Sequence, residues 1–338
     1  MGRLLVRVFL GSILLAAVGF LLAMYEAVLF VVRIVVDGPN AASLTLVFPK
    51  WDTGLVLILS LYFFLALPIL VALFFLREGL ALRHRPEPAL RPNGHNGTAP
   101  NEKTVVLLTA YNDEASIGLA VREFRQVDQV QEVVVIDNNS SDHTAEVAQA
   151  AGATVIGESR QGYGFACMGG LRYALDHTDA ERIVLSEGDM TFFSEDVKKL
   201  LPYLDDCDLV LGTRTTRTLT RKGSQMDWFL AWGNMFLAHL IRMRYWDPVF
   251  MGQARLTDVG CTFRTIRRAP LRRILDKLTV GGHYFSPHMI LVALREGLSV
   301  VEVPIKFRER VGKSKGAGGG RRRAMLIGFQ MIAEITLH

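Results

Sequence analysis

The sequence predicts an α/β protein built on a mainly parallel sheet and preceded by a helical hairpin that crosses a membrane. Three observations carry this. After Lys103, short apolar runs alternate with amphipathic runs of helix length. Ahead of them lie two long, nearly uncharged apolar stretches. A segment rich in Pro, Asn, Gly and charge separates the two parts. Half of the 338 residues are apolar, and mean hydropathy is positive, more than a soluble chain of this length normally carries. The chain beyond the apolar stretches is still long enough for one sizeable domain.

The first stretch, Val8 to Tyr25, has no charge, and its apolar pattern resumes after Glu26 up to Val36. Eighteen helical residues span about 27 Å, close to the hydrocarbon thickness. A cleaved signal peptide is the rival reading, since Arg3 and Arg7 precede the run. The run's length, the missing small-residue cleavage site and the second stretch oppose it. That second span runs from about Thr53 to Leu76, with Pro68 as a kink. Arg3 and Arg7 flank one end of the pair, and Arg77, Arg83, Arg85 and Arg91 flank the other. The connection from Asp37 to Asp52 carries two Asp and one Lys. The bias of positive charge predicts a multi-pass cell-membrane protein, both ends of the hairpin and the adjoining domain being cytoplasmic. Glu26 and Arg33 then sit near the far face and snorkel. The predicted organisation is a hairpin over 1–76, a flexible linker over 77–102, an α/β domain over 103–315 and a basic, amphipathic membrane-associated segment over 316–338.

Strands are predicted at Val105–Leu108, Val133–Ile136, Thr154–Ile156, Ile183–Leu185 and Leu209–Leu211. Helices are predicted at Glu114–Phe124, Thr144–Gly152, Phe165–His177 and Ser194–Leu204. This order requires right-handed crossovers onto a parallel sheet. No G-x-G-x-x-G opens the first helix and no G-x-x-x-x-G-K-[ST] occurs, so dinucleotide and P-loop folds lose support. The net charge of +5 is concentrated beside the spans and at the C-terminus, which suits an anionic bilayer rather than nucleic acid. No aromatic-plus-basic RNA motif and no zinc-finger spacing is present. Cys167, Cys207 and Cys261 are odd in number and far apart, and read as reduced thiols.

Chemistry-bearing residues cluster where strands end. The first strand runs into Tyr111-Asn112-Asp113-Glu114, the second into Asp137-Asn138-Asn139-Ser140-Ser141-Asp142. Each offers acid and amide groups beside a helix start, suited to base N–H groups and ribose hydroxyls; Asx turns and helix caps look the same. Arg160-Gln161-Gly162-Tyr163-Gly164 is a glycine turn feeding a helix, either a close backbone approach to a ligand or a simple loop. Glu187-Gly188-Asp189 closes the apolar run Ile183–Leu185, and its two hard oxygen donors suit Mg²⁺ or Mn²⁺ on a diphosphate. Gly212-Thr213-Arg214, Asp258 to Arg264, and Val303 to Lys315 come later in the chain. Between Thr215 and Thr257, Trp228, Phe229, Leu230, Trp232, Met235, Phe236, Leu237, Leu240 and Ile241 crowd into about four helical turns. Such a helix lies on a membrane, with Arg242 and Arg244 at the headgroups, or packs on the sheet. The basic tail and apolar Met325 to Ile335 read as an interfacial helix or an incomplete third span.

In this order the motifs resemble those of family 2 glycosyltransferases of the GT-A fold, a Rossmann-like, mainly parallel architecture. Within that family they look most like dolichyl-phosphate mannose synthases and bacterial polyprenyl-phosphate glycosyltransferases. The likeness covers Lys103 to Lys315. Tyr111-Asn112-Asp113 resembles the family's Y-N-E, Glu187-Gly188-Asp189 its D-x-D, and Gly212-Thr213-Arg214 its G-[ST]-R. Asp258 to Arg264 resembles D-x-x-S-G-F-R, and Val303 to Lys315 resembles V-P-I-x-F-x-x-R-x-x-G-x-S-K. Glu187 stands where relatives carry Asp, Thr191 where they often carry Gln, and Cys261-Thr262 where they carry Ser-Gly. Relatives often carry their spans at the C-terminus, whereas the hairpin here is N-terminal.

The resemblance implies inverting transfer of one sugar from a UDP- or GDP-sugar to a polyprenyl phosphate. Tyr111, Asp113, Asp137, Arg160 and Gly164 are implied at the nucleotide, and Glu187 and Asp189 at the metal. Arg214, Arg264, Arg310 and Lys315 are implied at the acceptor phosphate. An anionic acceptor needs no general base. Two alternatives stand beside it: transfer to a sugar hydroxyl of a lipid-linked glycan with Asp258 as base, and a non-catalytic scaffold. Sugar identity, isoprenoid length and homo-oligomerisation stay open.

Overall fold

The computed structural model describes residues 102–221, 223–224, 226–245, 255–312 and 320–337. The expected hairpin, Lys315 and all of the linker except Glu102 lie outside the described residues. Among the described residues, seven strands form one sheet in the order β3-β2-β1-β4-β6-β5-β7. The first half is a regular alternation: β1 (Thr104–Ala110), α1 (Glu114–Arg125), β2 (Val130–Asp137), α2 (Thr144–Ala150), β3 (Thr154–Gly157), α3 (Tyr163–His177) and β4 (Arg182–Glu187). The central strands β1 and β4 are buried on both faces, which is why they read as unbroken apolar runs rather than alternating ones. Ile117, Val121 and Phe124 of α1 recur at helical spacing and enter the core that Leu108, Val135 and Val184 share.

The predicted helix from Ser194 to Leu204 is instead a 3-10 turn, one α-turn over α4 (Val197–Leu200) and a second 3-10 turn containing Pro202. Proline lacks the donor that would continue the α ladder. After β5 (Leu209–Thr213) comes α5 (Trp228–Arg244), whose start is capped by the Asp227 carboxylate accepting from Leu230 N at 2.8 Å. A short strand, β6 (Arg264–Arg267), lies antiparallel between β4 and β5. The chain then forms α6 (Arg268–Ile274), α7 (Phe285–Arg295), β7 (Val300–Pro304) parallel to β5, and α8 (Arg321–Leu337).

This topology gathers at one edge the segments that follow β1, β2, β3, β4, β5 and β7. Order reverses beside β1, so a crevice opens beyond the carboxyl ends of β1 and β4. Because β6 runs antiparallel, the loop ahead of it lands at the same edge. So does the segment leaving β7. Among the described residues, the non-glycine positions with left-handed backbone are Asn112 (φ 51°), Asn139 (φ 59°) and Met190 (φ 67°). All three sit in the turns after β1, β2 and β4. Asn tolerates this region; Met does not, and strain of this kind gathers at functional edges. No helix among the described residues is long and apolar enough to cross a membrane.

Candidate active site

A cavity of about 720 Å³ occupies this edge. Its polar end is lined by Tyr111, Asp113, Glu187, Asp189, Arg214 and Arg310. Its other end is apolar and runs between α5 and α8, past Phe229, Trp232, Phe236, Ile327, Phe329 and Met331.

Glu187 and Asp189 meet on one cation. Arg310 Nη2 donates to Glu187 Oε2 at 2.9 Å and also contacts Asp189 Oδ2. Asp189 is buried, and its Oδ1 accepts from Thr191 N at 2.9 Å and Thr191 Oγ1 at 2.6 Å. Thr191 therefore orients the carboxylate. Gly188 is required between the two acids because a Cβ there would stand 2.4 Å from Ile117 Cδ1 of α1. Burial and the neighbouring Asp189 charge push the Glu187 carboxyl up to about 8, against the pull of Arg310. No set of three acidic, His or Cys groups that could hold a metal occurs among the described residues. Two carboxylates fit a cation that draws the rest of its shell from a substrate diphosphate and water.

On the nucleotide side, Asp113 Oδ2 accepts from Tyr111 N at 3.0 Å, and Thr144 Oγ1 accepts from Asp113 N at 2.8 Å, joining the turns after β1 and β2. Tyr111 presents an exposed ring at the cavity mouth. Asp137 ends β2 just outside the cavity lining, with Oδ2 accepting weakly from Ser140 N at 3.4 Å, while its buried Oδ1 has no hydrogen-bond partner among the described residues. An unsatisfied buried carboxylate oxygen at a sheet edge is suited to a ligand N–H. In the sequence Asn138 is legible only as part of a turn. Its Nδ2 donates to Glu158 O at 3.0 Å and Arg160 O at 2.8 Å, and its Oδ1 accepts from Gly162 N at 2.8 Å, so it holds the glycine turn in place.

Two residues of that turn face elsewhere. Arg160 is spent on Glu158, through Nε at 3.0 Å and Nη2 at 2.9 Å, and its guanidinium lies 4.7 Å from the Phe165 ring centre. Gly164 packs on protein: a Cβ there would stand 2.0 Å from Val280 O, and its N–H donates to Gly281 O at 2.9 Å. Close packing against the 280–281 loop, not approach to a ligand, explains this glycine.

The acceptor-side residues also divide. Arg214 lines the cavity and is gripped by Asp258, with Nε to Oδ2 at 2.7 Å and Nη2 to Oδ1 at 2.8 Å. Burial lowers the Arg214 pKa, but the Asp258 carboxylate outweighs it and holds the guanidinium above its ordinary value. Asp258 is buried and fully engaged by this pair, which opposes its use as a general base. Arg264 does not reach the cavity lining. It is 1% exposed, with Nη1 donating to Ser286 O at 3.1 Å and Nη2 bonded to Cys261 O. It fastens the loop before β6 to α7. Asn234 of α5 adds a further tie by accepting from Gly260 N at 2.9 Å. None of the three cysteines is in a disulfide, and burial pushes the Cys167 and Cys261 thiols up to about 12.

The apolar end has two walls. Ala324, Ile327, Met331 and Ile335 of α8 form its buried stripe, while Leu326 and Phe329 are 67% and 68% exposed. On α5, Trp228 and Trp232 are 71% and 65% exposed. Polar contacts hold the walls in place: Arg244 ties α5 to Ile335 O of α8, and Glu334 Oε1 of α8 lies 2.6 Å from His288 Nδ1 of α7.

The profile of glycosyl transferase family 2 matches residues 105–275, half of the chain. A dolichyl-phosphate hexose transferase of Haloferax volcanii is 29% identical over 211 residues, 62% of this chain and 85% of that protein. An undecaprenyl-phosphate mannosyltransferase of Micrococcus luteus is 27% identical over 231 residues, 64% of this chain and 88% of that protein. Among solved structures, glucosyl-3-phosphoglycerate synthase of Mycobacterium tuberculosis, in complex with Mn²⁺, UDP and glucosyl-3-phosphoglycerate, aligns with a TM-score of 0.51 at 21% identity. The alignment covers 72% of this chain and 84% of that one, and bears on the fold alone.

Proposed function

The chain belongs to glycosyl transferase family 2, and on that footing we propose that it transfers a single sugar, with inversion, from a nucleotide-sugar to a polyprenyl phosphate. The observation that carries this is the two-ended cavity: paired carboxylates and two arginines at one end, a channel between α5 and α8 at the other. A polyprenyl phosphate has the same two-part chemistry. Names of similar proteins point the same way, since two of them act on dolichyl or undecaprenyl phosphate.

The roles follow the motif positions, supported for Tyr111, Asp113, Glu187, Asp189, Arg214 and Arg310 by their place in the cavity lining. Asp137 Oδ1 accepts from the base, and Asp113 and Tyr111 frame the ribose side. Glu187 and Asp189 hold Mg²⁺ or Mn²⁺; Mn²⁺ accompanies UDP in the structural neighbour. Such a cation supplies Lewis-acid neutralisation of the diphosphate. Arg214 and Arg310 bind and orient the acceptor phosphate in the cavity, with Lys315 as a third cation. One phosphate oxygen forms a bond to the anomeric carbon as the bond to the diphosphate breaks, and the nucleoside diphosphate leaves. The acceptor is already anionic, so no proton need be removed. The engagement of Asp258 by Arg214 disfavours the sugar-hydroxyl alternative. Arg264 acts behind the site by fixing the loop that carries Asp258.

The exposed aromatic residues of α5 and α8, with Arg321, Arg322 and Arg323, suit a bilayer surface on the cytoplasmic side. The experiment that tests the acceptor is a comparison of polyprenyl phosphate with the free polyprenol. Transfer is expected only to the phosphate, giving a product whose sugar mild acid releases. Equal transfer to the alcohol contradicts the reading.

A further inference from the structure

We propose that Glu302 of β7 is a positioning residue for the acceptor phosphate, acting through Asp258 on Arg214. The inference deepens the proposed function and rests on its acceptor assignment. Glu302 touches neither carboxylate of the metal pair and does not line the cavity. It sits opposite Leu211 of β5 in the sheet register, three residues before Arg214. Three donors converge on its carboxylate. Asp258 N donates to Oε1 at 2.9 Å, and Thr257 N and Thr257 Oγ1 each donate to Oε2 at 2.7 Å.

The consequence passes along a chain of contacts. With its backbone N–H and its neighbour's held by Glu302, Asp258 has little freedom to turn. Both of its oxygens then engage Arg214, and Oδ2 also accepts from Arg214 N at 3.0 Å. This uses Nε and Nη2 of the guanidinium. Nη1 makes no hydrogen bond among the described residues, and one face of the group lies 5.2 Å from the Phe307 ring centre. A planar fork held along one edge and one face has a fixed direction for the nitrogen that remains. Thr257 reinforces the geometry. Its single hydroxyl proton goes to Glu302, and its oxygen lies 2.9 Å from Thr213 Oγ1 and 3.0 Å from Thr215 Oγ1, the residues on either side of Arg214, whose hydroxyls are themselves 2.9 Å apart. Glu302 therefore sets both the backbone around Arg214 and the carboxylate that aims it. Burial pushes the Glu302 carboxyl up to about 7, against the three donors that favour its ionised form.

The test uses the full-length protein in membranes and compares Glu302→Gln, Thr257→Val, Arg214→Lys and the double variant Glu302→Gln/Arg214→Lys. Glutamine keeps the shape but places an NH₂ against one set of donors. Glu302→Gln is expected to raise the acceptor KM about tenfold, with nucleotide affinity and kcat at saturating acceptor nearly unchanged. Thr257→Val leaves two of the three donors and is expected to raise it about threefold. Lysine cannot form the fork with Asp258, so Arg214→Lys raises the acceptor KM by itself, and adding Glu302→Gln has no further effect. A wild-type acceptor KM in Glu302→Gln overturns the proposal, as does an equal rise for donor and acceptor or full additivity with Arg214→Lys. If Glu302→Gln fails to accumulate folded, a wild-type acceptor KM in Thr257→Val overturns it instead. Absence of any transfer to polyprenyl phosphate by the wild type removes the proposed function, and this inference with it; an active wild type beside an insensitive Glu302→Gln removes the inference alone.

Discussion

The two halves of the sheet solve different problems. The half built from β1 to β4 leaves an acceptor open at its edge: the buried Asp137 Oδ1 has no hydrogen-bond partner among the described residues, and the Tyr111 ring nearby is exposed. The half built from β5 to β7 commits its charges internally. Asp258 is closed onto Arg214, and Arg264 onto two carbonyls. Open acceptors suit a ligand rich in donors, such as a nucleoside. Pre-aimed cations suit an anionic ligand whose orientation decides the reaction. Arg310 stands at the seam, bridging from the segment after β7 to the carboxylates after β4.

The largest expected effect falls on that seam. Asp189→Asn keeps the shape and the bonds from Thr191 but removes the charge facing the cation. Turnover should fall at least ~10²-fold with folding retained, because metal stabilisation of a leaving diphosphate is worth several kcal/mol. Full activity of this variant in EDTA would dissolve the contrast between the seam and its flanks.

Arg264→Ala probes the committed half. It removes the guanidinium that donates to Ser286 O and Cys261 O and empties its buried space, and the cost should be about 2 kcal/mol of stability, read as a thermal midpoint lower by roughly 5 °C. Nucleotide affinity should not change. A variant with wild-type stability and weakened acceptor binding would move Arg264 from scaffold to site.

Asp137→Asn probes the open half. Its loss should be about tenfold in nucleotide affinity, the size of one hydrogen bond to a charged acceptor, with no loss of stability. Calorimetry with UDP and GDP measures this and separates the two donor bases. Unchanged affinity for both would take Asp137 out of the nucleotide site.

The smallest expected effect is on Arg310→Lys. The charge survives but the planar fork does not, so acceptor turnover should fall roughly fivefold while nucleotide binding stays the same. A silent substitution would reduce Arg310 to a general positive charge.

The contrast also explains what the sequence makes legible. The open half announces itself: Val105–Leu108 and Ile183–Leu185 are apolar runs bounded by turns, and their ends carry the acids. Strand β6 is different. Arg264-Thr265-Ile266-Arg267 has charged ends and four residues, and is a strand only because β4 and β5 supply both its neighbours. Arg160, Arg214, Arg264 and Arg310 look alike in the sequence, as cations near motifs. Burial and partners, which depend on distant segments, set them apart: Glu158 neutralises the first, Asp258 aims the second, carbonyls absorb the third, and the metal carboxylates face the fourth. Gly164 reads as a ligand cradle in the sequence, and the 280–281 loop that fills its space lies over a hundred residues away.

The most direct measurement is mass spectrometry of lipid extracts after membranes containing the protein are incubated with a panel of nucleotide sugars. One sugar should appear on a polyprenyl phosphate, dependent on divalent metal and absent with Asp189→Asn. Sugar added instead to a hydroxyl of a lipid-linked glycan, or no lipid product with any donor, would contradict a polyprenyl-phosphate glycosyltransferase.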